Sequence, residues 1–226
     1  MSISIVIPCH NEESAVDVVL GKIAEVRRGM PEILEVLVVD DGSTDASPRI
    51  LATHPDVKVL RSETAGGYGA ALKKGFREAR GELILFMDMD DTYDIRDLPA
   101  LYREFRERNL DVIYGNRLTA MNGMPWVRRL GNSMFRLSLK AVFRHPVSDP
   151  CSGMSLFKSS LKHKFCEPVE NDLSYSMALT VRILRMKIRV GEMPIRYHER
   201  IGESKLNSFS DGCRFLWSLL SNRFSA

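Results

Sequence analysis

The sequence predicts an α/β domain whose mostly parallel sheet is covered by helices on both faces. Three observations carry this. Short apolar runs alternate with stretches of helical periodicity through the first half of the chain. The runs are apolar nearly throughout, as strands buried on both faces require. Most of them end at a cluster of acidic residues or glycines. The 226 residues suit one domain with a sizeable core.

The elements follow in order. Ile3–Ile7 is a β-branched run that stops at Pro8, and Ala15, Val18, Val19, Ile23 and Val26 then recur at helical spacing. Leu34–Val39 is a second buried run, ended by Asp40-Asp41-Gly42, with a helix starting near Ser47. Val57–Leu60 is a third, followed by the glycine-rich stretch 65–69 and a helix from Ala70 to Ala79. Leu83–Met87 and Val112–Tyr114 are the fourth and fifth.

The second half is less regular. Val127, Leu130, Met134, Leu137 and Val142 suggest an amphipathic helix with Arg128, Arg129, Arg136 and Lys140 interspersed. Leu173–Met186 reads as a helix and Met193–Tyr197 as a strand. Repeats and linkers are absent from the sequence, so residues 1–207 are expected to form one domain, with 208–226 as a C-terminal amphipathic helix or tail.

Composition narrows the class. At 44% hydrophobic and 27% charged the chain resembles ordinary soluble proteins, and a net charge of +3 makes no case for nucleic acid. Acidic motifs lie within residues 1–60, whereas 117–144 and 182–205 are rich in Arg and Lys, a balance suited to handling metal and phosphates together. Cys9, Cys151, Cys166 and Cys213 have no metal-ligand spacing, and no signal peptide precedes Met1. No run reaches the roughly 18 apolar residues of a membrane span. The expectation is a cytoplasmic protein, soluble or peripheral at the inner face of a membrane.

In open α/β sheets ligands bind beyond the carboxyl ends of the strands. Here those ends carry Pro8–Glu12, Asp40–Asp45, Gly66–Gly69, Asp88–Asp91 and Gly115–Arg117. Asp88 and Asp90, one residue apart after a strand, can converge on one hard divalent cation, Mg2+ or Mn2+. Helix capping is the competing use of such residues. The adjacent Asp40 and Asp41 repel each other unless something polar engages them, such as a nucleotide's base or ribose. Glu12 and Glu13 also suit a helix N-terminus, His10 alone reads as an ordinary histidine, and Cys9 reads as a small apolar filler.

Read in order, these segments resemble family 2 of the inverting glycosyltransferases, which have the GT-A fold. Val6-Ile7-Pro8 through Asn11-Glu12-Glu13 is similar to the family's opening motif, and Val38-Val39-Asp40-Asp41-Gly42-Ser43-Thr44-Asp45 to its nucleotide-binding turn. Phe86-Met87-Asp88-Met89-Asp90 resembles the metal motif, with Gly67, Gly69, Ala70 and Ala71 as the glycine turn and helix start between. The resemblance implies nucleotide contacts from Pro8, His10, Glu12, Asp40, Asp41 and Gly67, and a cation on Asp88 and Asp90.

The second half resembles the dolichyl-phosphate mannosyltransferase-like and undecaprenyl-phosphate glycosyltransferase branch. Tyr114-Gly115-Asn116-Arg117, Ser148-Asp149-Pro150-Cys151-Ser152-Gly153-Met154 and the 200–206 loop Arg200-Ile201-Gly202-Glu203-Ser204-Lys205-Leu206 carry that likeness. It implies transfer of a hexose from a GDP- or UDP-sugar to a polyprenyl phosphate. Arg129 with Ser133 resembles the acceptor-phosphate pair, and Arg117, Arg200 and Lys205 are further cations for a second phosphate. An acceptor phosphate is already anionic at neutral pH, so Asp88, Asp90 and Arg117 would catalyse by positioning and charge stabilisation rather than as a base. Cys9-His10 replaces a small-then-aromatic pair, Thr92 stands where some relatives carry glutamine, and Asn116 replaces serine.

Other classes fit less well. A soluble small-molecule or glycan acceptor is the alternative within the same donor chemistry. A sugar nucleotidyltransferase would need a glycine-rich basic loop where Pro8–Glu13 stands, and the glycines of 65–69 do not follow GxGxxG. At the C-terminus, Phe209, Cys213, Leu216, Trp217 and Leu220 form an apolar stripe with Arg214 and Arg223 nearby. Such a helix either packs on the domain or rests in a membrane interface.

Overall fold

The computed structural model describes residues 1–117, 148–149, 151–167 and 170–202. Seven strands form one sheet: β1 Ile3–Cys9, β2 Ile33–Asp40, β3 Lys58–Val59, β4 Leu83–Met87, β5 Val112–Asn116, β6 Met154–Lys158 and β7 Val190–Pro194. Their spatial order is β3-β2-β1-β4-β6-β5-β7. β1 runs parallel to β2 and β4, β2 parallel to β3, and β5 parallel to β7. Among the described strands only β6 is antiparallel, between β4 and β5. The helices are α1 Val16–Gly29, α2 Ser47–Leu51, α3 Tyr68–Glu78, α4 Leu98–Glu107, α5 Lys162–Cys166 and α6 Tyr175–Arg185.

The strand runs are continuous in apolar residues because each face of the sheet has its own core. Ile3, Ile5, Ile7, Leu83, Leu85 and Met87 pack on one side with Val16, Val19, Leu20 and Ile23 of α1 and Leu98, Leu101 and Phe105 of α4. Val6, Leu37, Val39, Ile84 and Phe86 point the other way, towards Leu72 and Phe76 of α3 and Tyr175, Leu179 and Ile183 of α6. Phe157 stacks at the centre of this second core, with ring centroids 5.1 Å from Phe76 and 4.4 Å from Phe165. At Gly75 an added Cβ would run into the Val6 side chain, so glycine there lets α3 lie close on β1 and β2.

Polar groups inside the sheet are matched. Glu35 on β2 accepts from Ser4 Oγ at 2.7 Å and from Arg80 N and Nε at 2.8 and 3.1 Å. Burial works against its charge, but these hydrogen bonds hold its carboxyl below the usual range.

Among the described residues the expected strands and helices are present with shifted ends, and four elements differ. β6, α4 and α5 have no counterpart in the sequence reading. The strand expected at Met193–Tyr197 is Val190–Pro194 instead. Beyond Pro194 the chain leaves β5 and pairs with the loop after β4, where Tyr93 and Tyr197 form an isolated antiparallel bridge. Alternation of residue types could not reveal this, because the partner of 197–201 is a loop. The amphipathic helix expected around 127–142 and the tail boundary at 207/208 lie outside the described residues. Among the described residues no helix is long and apolar enough to cross a membrane.

Three strands are clamped by Asp111, just before β5. It accepts from Lys158 Nζ of β6 at 2.6 Å and from Arg189 N, beside β7, at 2.8 Å. Burial alone would raise its pKa, but the hydrogen bonds from Arg189 and Lys158 outweigh it and leave Asp111 at about 2. The stabilisation is therefore complete above the ordinary carboxylate value of about 4 and disappears as pH falls towards 2. Asp111→Asn is expected to lower the thermal midpoint at pH 7 by about 1–4 °C. Scans at decreasing pH should show the gap to wild type closing between pH 4 and pH 2; a gap that stayed constant would refute the clamp.

Candidate active site

The turns after β1, β2 and β4 meet at one edge of the sheet, and hydrogen bonds lace them together. Asn11 adopts the left-handed region at φ 50°. Its side-chain oxygen accepts from Thr44 N at 2.8 Å, and its own N–H donates to Ser43 Oγ at 3.0 Å. Glu12 N–H donates to Ser47 Oγ, Glu13 N–H to Asp45, and Ala46 N–H returns to the Glu13 carboxylate. Glu13 thus serves the start of α2, not the start of its own helix. Pro8 lies within β1 opposite Val39, and His10 Nδ1 donates to the Asp41 carbonyl at 2.8 Å.

The adjacent carboxylates after β2 have separate partners. Asp40 is fully buried; it accepts from Ser43 N at 2.9 Å and lies 3.4 Å from Arg61 Nε. Asp41 accepts from the backbone N–H groups of Gly66 and Gly67 at 2.9 and 2.7 Å. Polar groups that engage Asp41 therefore come from the glycine turn, a pairing 25 residues away that the sequence reading did not foresee. Gly67 has φ 96°, and a Cβ there would strike the Asn171 carbonyl.

Asp88 and Asp90 follow β4. Tyr68, at the start of α3, donates its hydroxyl to Asp88 Oδ1 at 2.9 Å. Gly153 lies against the other side of this carboxylate, so closely that any Cβ would collide with Oδ2. The Gly153 N–H donates to Tyr93 Oη at 2.6 Å, which fixes the approach. Burial, and then the nearby Asp90, push the Asp88 carboxyl up to about 7. Burial and Asp88 likewise raise the Tyr68 phenol, so it keeps the proton it donates. Asp90 Oδ1 accepts from the Thr92 hydroxyl at 2.6 Å and the Thr92 N–H at 3.1 Å. Asp91 sits at φ 60° and is held by Lys22 at 2.7 Å.

Besides Arg61, two arginines among the described residues reach this edge. Arg200 donates through Nη1 to Asp90 Oδ2 at 2.9 Å and through Nη2 to Glu12 Oε1, bridging the first and fourth strand ends. Arg117 is largely buried and forks onto Asp149, with Nε and Nη2 each 2.7 Å from its oxygens. Its guanidinium also lies 5.8 and 5.9 Å from the ring centres of Tyr93 and Tyr197. Arg117 is an ion-pair partner of Asp149. Arg129, Ser133 and Lys205 lie outside the described residues.

The donors present suit a hard divalent cation: oxygen ligands only, with one carboxylate made costly by a like charge beside it. Among the described residues no group of three His, Cys, Asp or Glu could hold a metal by itself. Asp88 and Asp90 would supply two carboxylates, and substrate phosphates and water the rest. Cys9 is buried and its thiol is pushed up to about 12, chiefly by burial, so it is a filler rather than a nucleophile.

Residues 4–165 match the family model for Glycosyl transferase family 2. The chain belongs to that family. It is 30% identical, over 98% of its length, to the low-salt glycan biosynthesis hexosyltransferase Agl6 of Haloferax volcanii, of which it spans about half (54%). It is 31% identical, over 93% of its length, to a dolichyl-phosphate hexose transferase of the same organism, of which it spans 89%. Glucosyl-3-phosphoglycerate synthase from Mycobacterium tuberculosis, crystallised with Mn2+, UDP and phosphoglyceric acid, superposes with a TM-score of 0.79 at 20% identity, covering 100% of this chain and 79% of that one. That likeness gives the GT-A fold, and family membership makes the chain a glycosyltransferase.

Tyr68, Thr92 and Gly153 join the site without having been singled out as ligands or supports by the sequence reading. Thr92 bonds a carboxylate two residues away, whereas Tyr68 and Gly153 meet one 20 and 65 positions away, which no local pattern could show. Gly153→Ala is expected to drive the Asp88 carboxylate off its bond with Tyr68 and to lower glycosyl transfer about tenfold or more. The far-UV circular dichroism should stay unchanged. Full activity in that variant would mean that the position of Asp88 is immaterial.

Proposed function

We propose that this family 2 glycosyltransferase moves a hexose from a GDP- or UDP-sugar to a polyprenyl phosphate with a divalent cation, Mg2+ or Mn2+, at Asp88 and Asp90. The observation that carries the reading is the pair Asp88 and Asp90 at the carboxyl end of β4, flanked by the first two strand ends and faced by Arg200. The polyprenyl acceptor is supported by the 31% identity to a dolichyl-phosphate hexose transferase over most of both chains.

The nucleotide would lie along Pro8–Glu12 and Asp40–Asp41, with Gly67 as the glycine of the turn above Asp41. For it to use the Asp41 carboxylate, the Gly66 and Gly67 N–H groups must share their acceptor with the ligand, which an oxygen with two lone pairs permits. A cation bound at Asp88 and Asp90 would neutralise charge on the leaving diphosphate. Tyr68 and Thr92 keep those two carboxylates oriented. An acceptor phosphate oxygen forms the new bond to the anomeric carbon as the bond to the diphosphate breaks, and no proton need be removed. This fits a site whose two cysteines near the edge, Cys9 and Cys151, are held as neutral thiols by burial. Arg117, Arg129, Ser133, Arg200 and Lys205 are the candidates for the acceptor phosphate, and Arg117 would have to share its guanidinium with Asp149. A lipid phosphate acceptor would bring the enzyme to a membrane surface, which we take to be the inner face; among the described residues no helix is long and apolar enough to cross it.

Transfer should be measured with a panel of nucleotide sugars, with and without a short polyprenyl phosphate, in Mn2+, in Mg2+ and after chelation. Product is expected on the lipid only with a cation, and Asp90→Ala should reduce it by at least about a hundredfold. Near-normal turnover of Asp90→Ala in chelator would reject the metal. Transfer to soluble phosphate-bearing acceptors but not to the polyprenyl phosphate would reject the lipid while leaving the donor chemistry intact.

A further inference from the structure

The segment that follows β7 carries Arg196, His198 and Arg200 on alternate residues, and the loop after β4 carries Asp90, Asp94 and Asp97. The two run antiparallel. His198 N–H donates to the Thr92 carbonyl and Ile201 N–H to the Asp90 carbonyl, each at 3.0 Å. Their side chains meet as three rungs. Arg196 pairs with Asp97 at 2.7 Å, His198 with Asp94 at 3.4 Å, and Arg200 with Asp90 at 2.9 Å. Arg196 also reaches Asp94 at 3.3 Å, so the first two rungs are cross-linked.

The third rung differs from the others in two ways. Its carboxylate, Asp90, is one of the two oxygen ligands placed at the strand end for a cation, and its guanidinium also holds Glu12 across the edge of the sheet. Arg200 further leaves its Nε buried without a hydrogen-bond partner among the described residues. A buried N–H left unmade is unfavourable, so this position of the side chain is not its best-satisfied one. The backbone on either side is tied down by the rungs and by the Ile201 bond. The guanidinium can therefore leave Asp90 by turning its side chain alone.

We propose that Arg200 is an exchangeable internal cation. It pairs with Asp90, is displaced from that carboxylate when the divalent cation binds, and is then available, Nε included, to an anionic substrate group. The inference rests on the assignment of the cation to Asp88 and Asp90. It couples loading of the cation to release of Arg200, because a guanidinium and a divalent cation on the same Asp90 carboxylate repel each other. The Arg196 and His198 rungs meanwhile keep the strap in register.

Mn2+ binding to the protein without nucleotide, followed by electron paramagnetic resonance titration, tests this without reference to turnover. Arg200→Gln is expected to bind Mn2+ about three- to tenfold more tightly than wild type, since the competitor is gone. Arg200→Lys keeps the charge but lacks the fork, and should shift in the same direction. Arg196→Gln removes an equal charge from a rung that does not touch Asp90 and should leave the affinity within error of wild type. Unchanged or weaker binding in both Arg200 variants would overturn the exchange, as would an equal gain in Arg196→Gln, which would mark a general field effect. Asp90→Asn separates this failure from that of the cation assignment: it should abolish binding, and Mn2+ affinity indifferent to Asp90→Asn would overturn the cation assignment and the exchange with it.

Discussion

Everything at the working edge of this molecule answers to one constraint, the repulsion among carboxylates gathered where parallel strands end. Glu12, Asp40, Asp41, Asp88, Asp90 and Asp91 come from three strand ends that are neighbours in the sheet. Each needs a partner or a shifted proton equilibrium to remain there. The fold supplies a different solution to nearly every one. Asp41 takes two backbone N–H groups, Asp91 a lysine from α1, and Asp90 and Glu12 share one guanidinium. Asp88 takes the Tyr68 phenol, and its carboxyl is driven up towards neutrality, by burial first and Asp90 second.

This distribution separates supports from exchangeable positions. A carboxylate held by backbone amides is locked to the chain, because those donors cannot leave without unfolding the turn. One held by the end of a long side chain can change partner at the cost of a rotamer. Asp40 belongs to the first kind, and Asp90 combines both, with one oxygen fixed by Thr92 and the other on Arg200. A protein that must admit a cation and a diphosphate repeatedly needs such a mixture, since a wholly locked edge would have no ligand to offer.

Close packing supports the same edge from behind. Gly75 brings α3 down onto β1 and β2, Gly67 brings the glycine turn against Asn171, and Gly153 brings the segment just before β6 against Asp88. In each case a methyl group would have to displace a neighbour. The antiparallel strand β6 is what delivers Gly153 to that point, since it runs beside β4 with Met154 opposite Met87. One reversed strand in an otherwise parallel sheet thus joins the second half of the chain to the acidic turn of the first.

The sequence by itself determined the α/β class, β1, β2 and β4 and the helices between them, because each fully buried strand writes its signal in a short unbroken run such as Ile3–Ile7 or Leu83–Met87. It also determined where the acidic chemistry lies, since residues at a strand end share an edge whatever the details of packing. Helix α4 and strand β6 were not read, the latter because Met154–Lys158 is short and mixes Ser155 and Lys158 with apolar residues. Which partner each carboxylate holds was settled only by the tertiary structure. Tyr68 with Asp88, Gly66 and Gly67 with Asp41, Arg117 with Asp149 and Arg200 with Asp90 join positions 20 to 110 residues apart. Periodicity reports the environment of a residue along its own element; it contains nothing about which distant side chain the fold brings within 3 Å of it.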